Sequence, residues 1–193
     1  MLNFPNSGSG KPYINLDART GMWKLSQPDG AQMIDMQGKT LAMDIANAVQ
    51  GWLHVSAAGA DWRPISDGDW GVPPTPDHKP GVQMNVVLAG GDVRELRGNS
   101  KAIIGFVQSV AQAASDAGAA TDGPLPLIRI DKAAVVKIGQ GTSVNISFTL
   151  APKEKWVARS ALAGAAAGAP FDDTPKAAPK AQPKAAVADD LVF

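Results

Sequence analysis

Short runs of aromatic and aliphatic residues dominate the start of the chain: Tyr13 to Asp17, Gly21 to Ser26 and Ala31 to Met36. Turn chemistry separates them at Ala18-Arg19-Thr20-Gly21 and at Gln27-Pro28-Asp29-Gly30, where Pro presets φ and Gly admits a positive one. Runs of this kind, broken by turn signals every ~8–12 residues, predict a meander of strands. Thr40 to Val55 carries both a helical stripe and an alternation. Gly51 interrupts the run and no capping box opens it, so two strands are predicted. Gly81 to Ala89 reads as a strand, Gly90-Gly91-Asp92 as a turn, and Val93 to Leu96 as a strand pairing back. Ser100 to Ala117 is the single predicted helix. Asn99 or Ser100 can cap it, Ile103, Ile104, Val107, Val110 and Ala111 form its apolar stripe, and Gly118 ends it. Pro124 to Asp131, Ala134 to Ile138 and Ser143 to Leu150 predict three more strands, with Gly139-Gln140-Gly141 as a turn. The fold class expected is mainly β with one helix.

Two segments break this rhythm. Ser56 to Pro80 holds five prolines together with Trp62 and Trp70, and reads as one long loop. Loops of that length inside a compact domain are often binding loops. From Ala161 the composition turns to Ala, Pro and Lys, with Pro175, Pro179 and Pro183 each followed by Lys and Ala. Such a segment has too little to bury and is predicted to be an extended, disordered tether. The division expected is a domain at 1–159, a tether at 160–188 and a terminal tip at 189–193.

Charge changes the picture of what the domain can bind. Lys plus Arg and Asp plus Glu are equal at 18 each, and the residues before Ser160 are almost balanced as well. A neutral domain cannot hold nucleic acid by a general basic field, so a local groove with stacking would have to do it. Cysteine is absent, which removes disulfides, thiolate zinc sites and cysteine nucleophiles, and suits a reducing cytoplasm. The leader MLNFPNSGSGKPY has no apolar signal core, and no run is long enough to predict a membrane-spanning helix. The expected location is the cytoplasm, that of a host if the chain is phage-encoded.

Enzymatic constellations are thin, and no enzyme, cofactor or metal is expected. Asp67, Asp69 and Asp77 near His78 fit no calcium-loop or zinc spacing, and solvated loop carboxylates explain them better. Gly38-Lys39-Thr40 resembles the end of a phosphate-binding loop, but Met33 stands where that motif requires glycine. A hydrolase using Asp67, Asp69 and His78 with a divalent metal ranks last among the readings.

Aromatic residues carry more. Trp23 lies beside Lys24, Trp62 beside Arg63, Trp70 shares a loop with Lys79, and Trp156 lies between Lys155 and Arg159. Bases stacked on exposed rings, with cations near the phosphates, are how single strands are held without sequence preference. Any single Trp is more often a core residue; Trp52 is read as core, and Trp62 and Trp70 as the ones exposed. Tyr13, Trp23, Lys24, Trp62, Arg63, Trp70 and Lys79 are candidate nucleic-acid contacts. Arg94, Arg97 and Lys101 form a second patch, where the start of the helix offers free N–H groups to phosphate.

Asp189-Asp190-Leu191-Val192-Phe193 sets two carboxylates before three large apolar residues at an exposed end. A partner pocket that buries the Phe ring and pairs the carboxylates would account for it. This tip resembles that of bacterial and phage single-stranded-DNA-binding proteins, which combine an OB-fold domain, a Pro- and Gly-rich tether and an acidic tip of the pattern Asp-Asp-Asp-Ile-Pro-Phe. Asp189, Asp190 and Phe193 match, Leu191 replaces Ile, Val192 replaces Pro and Ala188 replaces the first Asp. The domain is also similar to phage proteins in the pattern Gly51-Trp52, Asp77-His78-Lys79-Pro80-Gly81, and Arg94-Glu95-Leu96 with Asn99-Ser100-Lys101. The resemblance implies an OB-like β-barrel with additional strands, sequence-tolerant binding of single-stranded DNA in replication or recombination, and a tip that recruits replication or repair proteins. It leaves homo-oligomerisation open. The competing reading is a virion or scaffold protein whose tail docks on a partner.

Overall fold

A computed structural model describes residues 12–56, 59–65, 70–138 and 141–163. The described residues are mainly β with one α-helix, and the sheet curls strongly into a half-barrel. Its strands are β1 (Tyr13–Leu16), β2 (Trp23–Gln27), β3 (Gly30–Ile34), β4 (Thr40–Met43), β5 (Val49–Ser56), β6 (Gly59–Pro64), β7 (Lys79–Leu88), β8 (Val93–Gly98), β9 (Leu127–Ile138) and β10 (Gly141–Leu150), with α1 (Lys101–Asp116) between β8 and β9. The path through the sheet is β10-β9-β4-β7-β8-β1-β2-β3, and β5 joins β7 and carries β6 as an outrigger.

Part of this order follows an OB-like Greek key, left open as a half-barrel. β4 and β5 act as one strand, bent at a 3-10 turn over Ile45–Asn47; both pair with β7, and β4 also pairs with β9. β7 pairs with β8, α1 follows, and β9 and β10 return as a hairpin. The additional strands are the N-terminal meander, because β8 continues into a parallel pairing with β1. Arg94 of β8 pins that meander down: it donates to the Ser26 carbonyl at 2.5 Å and pairs with Asp92 at 2.7 Å.

Both halves of Thr40 to Val55 form strands, as the alternation predicts. The helix is also where the pattern places it, capped by Ser100, whose hydroxyl accepts from the Ile103 N–H. Its stripe of Ile103, Phe106, Val107 and Val110 enters the main core with Ile14, Trp23, Leu41, Met84, Val86, Leu96, Ile128 and Ile146. A satellite core gathers Ala42, Val87, Ala114, Leu125 and Leu127 around Trp156. Pro124 to Ile138 differs from expectation: β9 runs unbroken through Asp131-Lys132-Ala133, absorbing one extra residue as a bulge opposite Ser147 and Phe148. Ser56 to Pro80 differs too. β6 occupies its first part, because Ala60, Trp62 and Pro64 can pair residue for residue with Val55, Leu53 and Gly51. The described chain continues past Arg159 to a 3-10 turn at Arg159–Ala163. The tether predicted to begin at 160 therefore starts inside this turn; its remainder, 164–188, and the tip, 189–193, lie outside the described residues.

Candidate nucleic-acid interface

The β5–β6 ribbon collects aromatic side chains on both of its faces. Register sets the division: Gly51, Leu53 and Trp62 point to one side, Trp52, His54, Asp61 and Arg63 to the other. On the first side the Trp62 indole rests on two glycines that face each other across β5 and β7, Gly51 and Gly81. A Cβ on Gly51 would come 2.8 Å from Cζ2 of Trp62 and 2.5 Å from the Arg63 carbonyl oxygen; one on Gly81 would come 3.3 Å from Cζ3. Only glycine lets the ring lie this close to the sheet. Trp62 as a whole is half-buried.

On the opposite side Trp52 and Trp70 meet edge to face, with centroids 5.3 Å apart and planes at 81°. The Trp52 indole N–H donates to the Trp70 carbonyl oxygen at 2.8 Å, which ties the segment after β6 back to β5. Both rings are half-buried. Next along the ribbon, the His54 and His78 rings lie 5.5 Å apart. His78 is buried; its Nδ1 is 2.8 Å from the Thr75 hydroxyl and its Nε2 is 3.5 Å from Asp61. Asp61 also holds Arg63, at 2.9 Å, while the rest of the Arg63 side chain projects into solvent. Lys79 is exposed and donates to the Pro76 carbonyl oxygen at 3.1 Å.

The predicted contacts thus separate. All of Trp62, Arg63, Trp70 and Lys79 fall on or beside the ribbon, but Trp62 and Lys79 take one face and Arg63 and Trp70 the other. Trp23 does not join them: it is 0% exposed, packed edge to face on Phe106, and cannot stack a base. Trp156 is likewise core, its N–H held by the Ala151 carbonyl oxygen at 2.9 Å. Arg94 is buried in the contacts that anchor the meander. Arg97 is paired with Glu95, which also accepts from Gln83 at 2.7 Å. Neither guanidinium is free for phosphate, so the second patch keeps only exposed Lys101, at a helix start whose Ile103 N–H Ser100 already occupies. Tyr13 and Lys24 are half-buried on the meander, remote in the sheet order from the ribbon.

Three participants escape sequence reasoning: Trp52 as the partner of Trp70, the glycine floor under Trp62, and the His54–His78–Asp61 group. The pair Gly51-Trp52 was visible, but a glycine facing another across strands shows only once register is known. Among the described residues no three His, Asp or Glu side chains converge as a metal site, and Asp67 and Asp69 lie outside them. No described helix is long and apolar enough to cross a membrane. Comparison with protein-family models, with curated proteins and with solved structures finds no match.

Proposed function

We propose that this chain binds single-stranded DNA with little sequence preference, using the β5–β6 ribbon as a stacking platform. The observation that carries the reading is Trp62 on its floor of Gly51 and Gly81. A half-exposed indole seated on backbone is held still before any ligand arrives, so little side-chain freedom is lost when a base stacks on it. Trp52 and Trp70 extend the aromatic surface around the ribbon, and Arg63 and Lys79 supply nearby cations. The ribbon also connects the first and second strands of the OB-like barrel, a connection that such barrels use to hold oligonucleotides.

Charge sets the character of the binding. With two cations at the site and a neutral chain, stacking contributes most of the affinity and phosphate contacts the lesser part. The reading extends to a role in replication or recombination, with Asp189, Asp190, Leu191, Val192 and Phe193 as a docking peptide for partner proteins. Fluorescence anisotropy of a labelled oligo-dT, with wild-type protein and with Trp62→Ala, tests it. The platform reading requires binding by the first and a clear loss in the second.

A further inference from the structure

Among the described residues three strands end the sheet with an unpaired edge: β3, β6 and β10. An open edge is a template for pairing with another chain, and proteins blunt it by shortness, charge or proline. β3 is five residues long and flanked by Asp29 and Asp35; β6 carries Asp61, Arg63 and Pro64. β10 has none of these. Its ten residues, Gly-Thr-Ser-Val-Asn-Ile-Ser-Phe-Thr-Leu, include no charge and no proline. The hairpin's bulge falls on β9, at Asp131, so β10 itself stays regular.

From this contrast we infer that β10 pairs with β10 of a second copy of the chain, antiparallel about a two-fold axis, joining two sheets into one. A two-fold contact demands a self-complementary surface, and β10 is one. Its inner row is Val144, Ile146 and Phe148, its outer row Ser143, Asn145, Ser147 and Thr149. Matching inner row to inner row allows a centre at Asn145 or Ile146, each pairing nine residues; the centre at Ile146 sets Phe148 against an apolar residue rather than against Thr142. Val144 then meets Phe148 of the other copy, Ser143 meets Thr149, and Asn145 meets Ser147. The outer pairs are all uncharged hydroxyls and amides, able to hydrogen-bond and free of like-charge opposition. The pairing would run ~31 Å at ~3.4 Å per residue. This inference is independent of the nucleic-acid reading.

The test is sedimentation equilibrium of the full chain over a micromolar to submillimolar series. A dimer is expected. Asn145→Lys with Ser147→Lys sets lysine against lysine twice in the proposed register and should raise the dimer dissociation constant roughly tenfold. Asn145→Lys with Ser147→Glu sets lysine against glutamate and should restore dimerisation. Because the chain has no cysteine, Asn145→Cys and Ser147→Cys chains mixed together report the register independently of any charge effect. The mixture should cross-link across the interface faster than either chain alone. A wild-type monomer throughout the series overturns the inference, as does a double-lysine variant that dimerises unchanged or a mixture with no preference.

Discussion

Trp62 lies so close over Gly51 that a single added methyl there would sit 2.8 Å from its ring. Gly51→Ala must therefore displace the indole, and it also meets the Arg63 carbonyl oxygen at 2.5 Å. The expected result is a destabilised ribbon and weakened oligonucleotide binding, read by circular-dichroism melting and by anisotropy. Because a backbone clash is included, Gly51→Ala should cost more stability than Trp62→Ala.

Replacing the platform rings separately apportions the binding. Trp62→Ala, Trp52→Ala and Trp70→Ala are each expected to weaken affinity by about 1–3 kcal/mol, the range for loss of one stacked base. Trp52→Ala should also loosen the segment after β6, since the hydrogen bond to the Trp70 carbonyl goes with it. Isothermal titration with oligo-dT checks the affinities. An unchanged affinity in all three variants would remove the ribbon from the interface.

Trp23 makes the opposite prediction. It is fully buried against Phe106, and its indole N–H has no hydrogen-bond partner among the described residues. Trp23→Ala should cost about 3–5 kcal/mol by opening a cavity. Trp23→Phe removes the unsatisfied donor along with part of the ring, so relief of desolvation offsets some of the lost packing. Urea denaturation should place it well above Trp23→Ala in stability, with oligonucleotide binding intact.

Asp44 is 2% exposed and receives both Arg159, at 2.6 Å, and the Asn47 amide, at 3.2 and 3.0 Å. Arg159 also donates to the Thr121 carbonyl oxygen at 2.8 Å, so this pair joins the bend between β4 and β5 to the end of the described chain. Breaking a buried pair by deleting one partner typically costs about 3–5 kcal/mol. Arg159 keeps 27% exposure, which places Asp44→Ala at the lower end; thermal or urea unfolding measures it.

Two carboxylates are held below their ordinary value of 3.8: Asp17, first by the Arg19 backbone N–H, and Asp131, first by the Thr149 hydroxyl. A carboxylate with a lowered folded-state pKa stabilises fully above the ordinary value and loses that contribution as pH falls through the lowered one. Stability measured by urea midpoint should therefore fall as the solution is acidified below that value. Thr149→Val should flatten the part of the decline due to Asp131.

Much of the fold is legible in the chain because its signals are local. Pro28 and Gly30 mark the β2–β3 turn, Ser100 with the stripe from Ile103 to Val110 marks α1, and Gly51 argues against helix in Thr40 to Val55. What escaped depends on register. β6 carries proline and charge and reads as loop until it is set against β5. Trp23 and Trp62 each stand beside a basic residue in sequence, yet one enters the core and the other the ribbon, because parity and strand position decide which face a side chain takes. Arg94 and Arg97 read as phosphate ligands because sequence alone does not pair them: Glu95 and Arg97, two residues apart on β8, share a face, and Asp92 meets Arg94 from the turn just before that strand.

The central claim is stacking of single-stranded DNA on the ribbon, and intrinsic tryptophan fluorescence during titration with oligo-dT tests it most directly. The account predicts quenching that saturates, that is diminished in Trp62→Ala, and that persists with a shallow salt dependence. For two phosphate contacts the slope of log affinity against log salt should be about −1.4. Absence of both quenching and anisotropy change at low salt would contradict the account, and a steep slope with undiminished binding by Trp62→Ala would contradict the stacking platform.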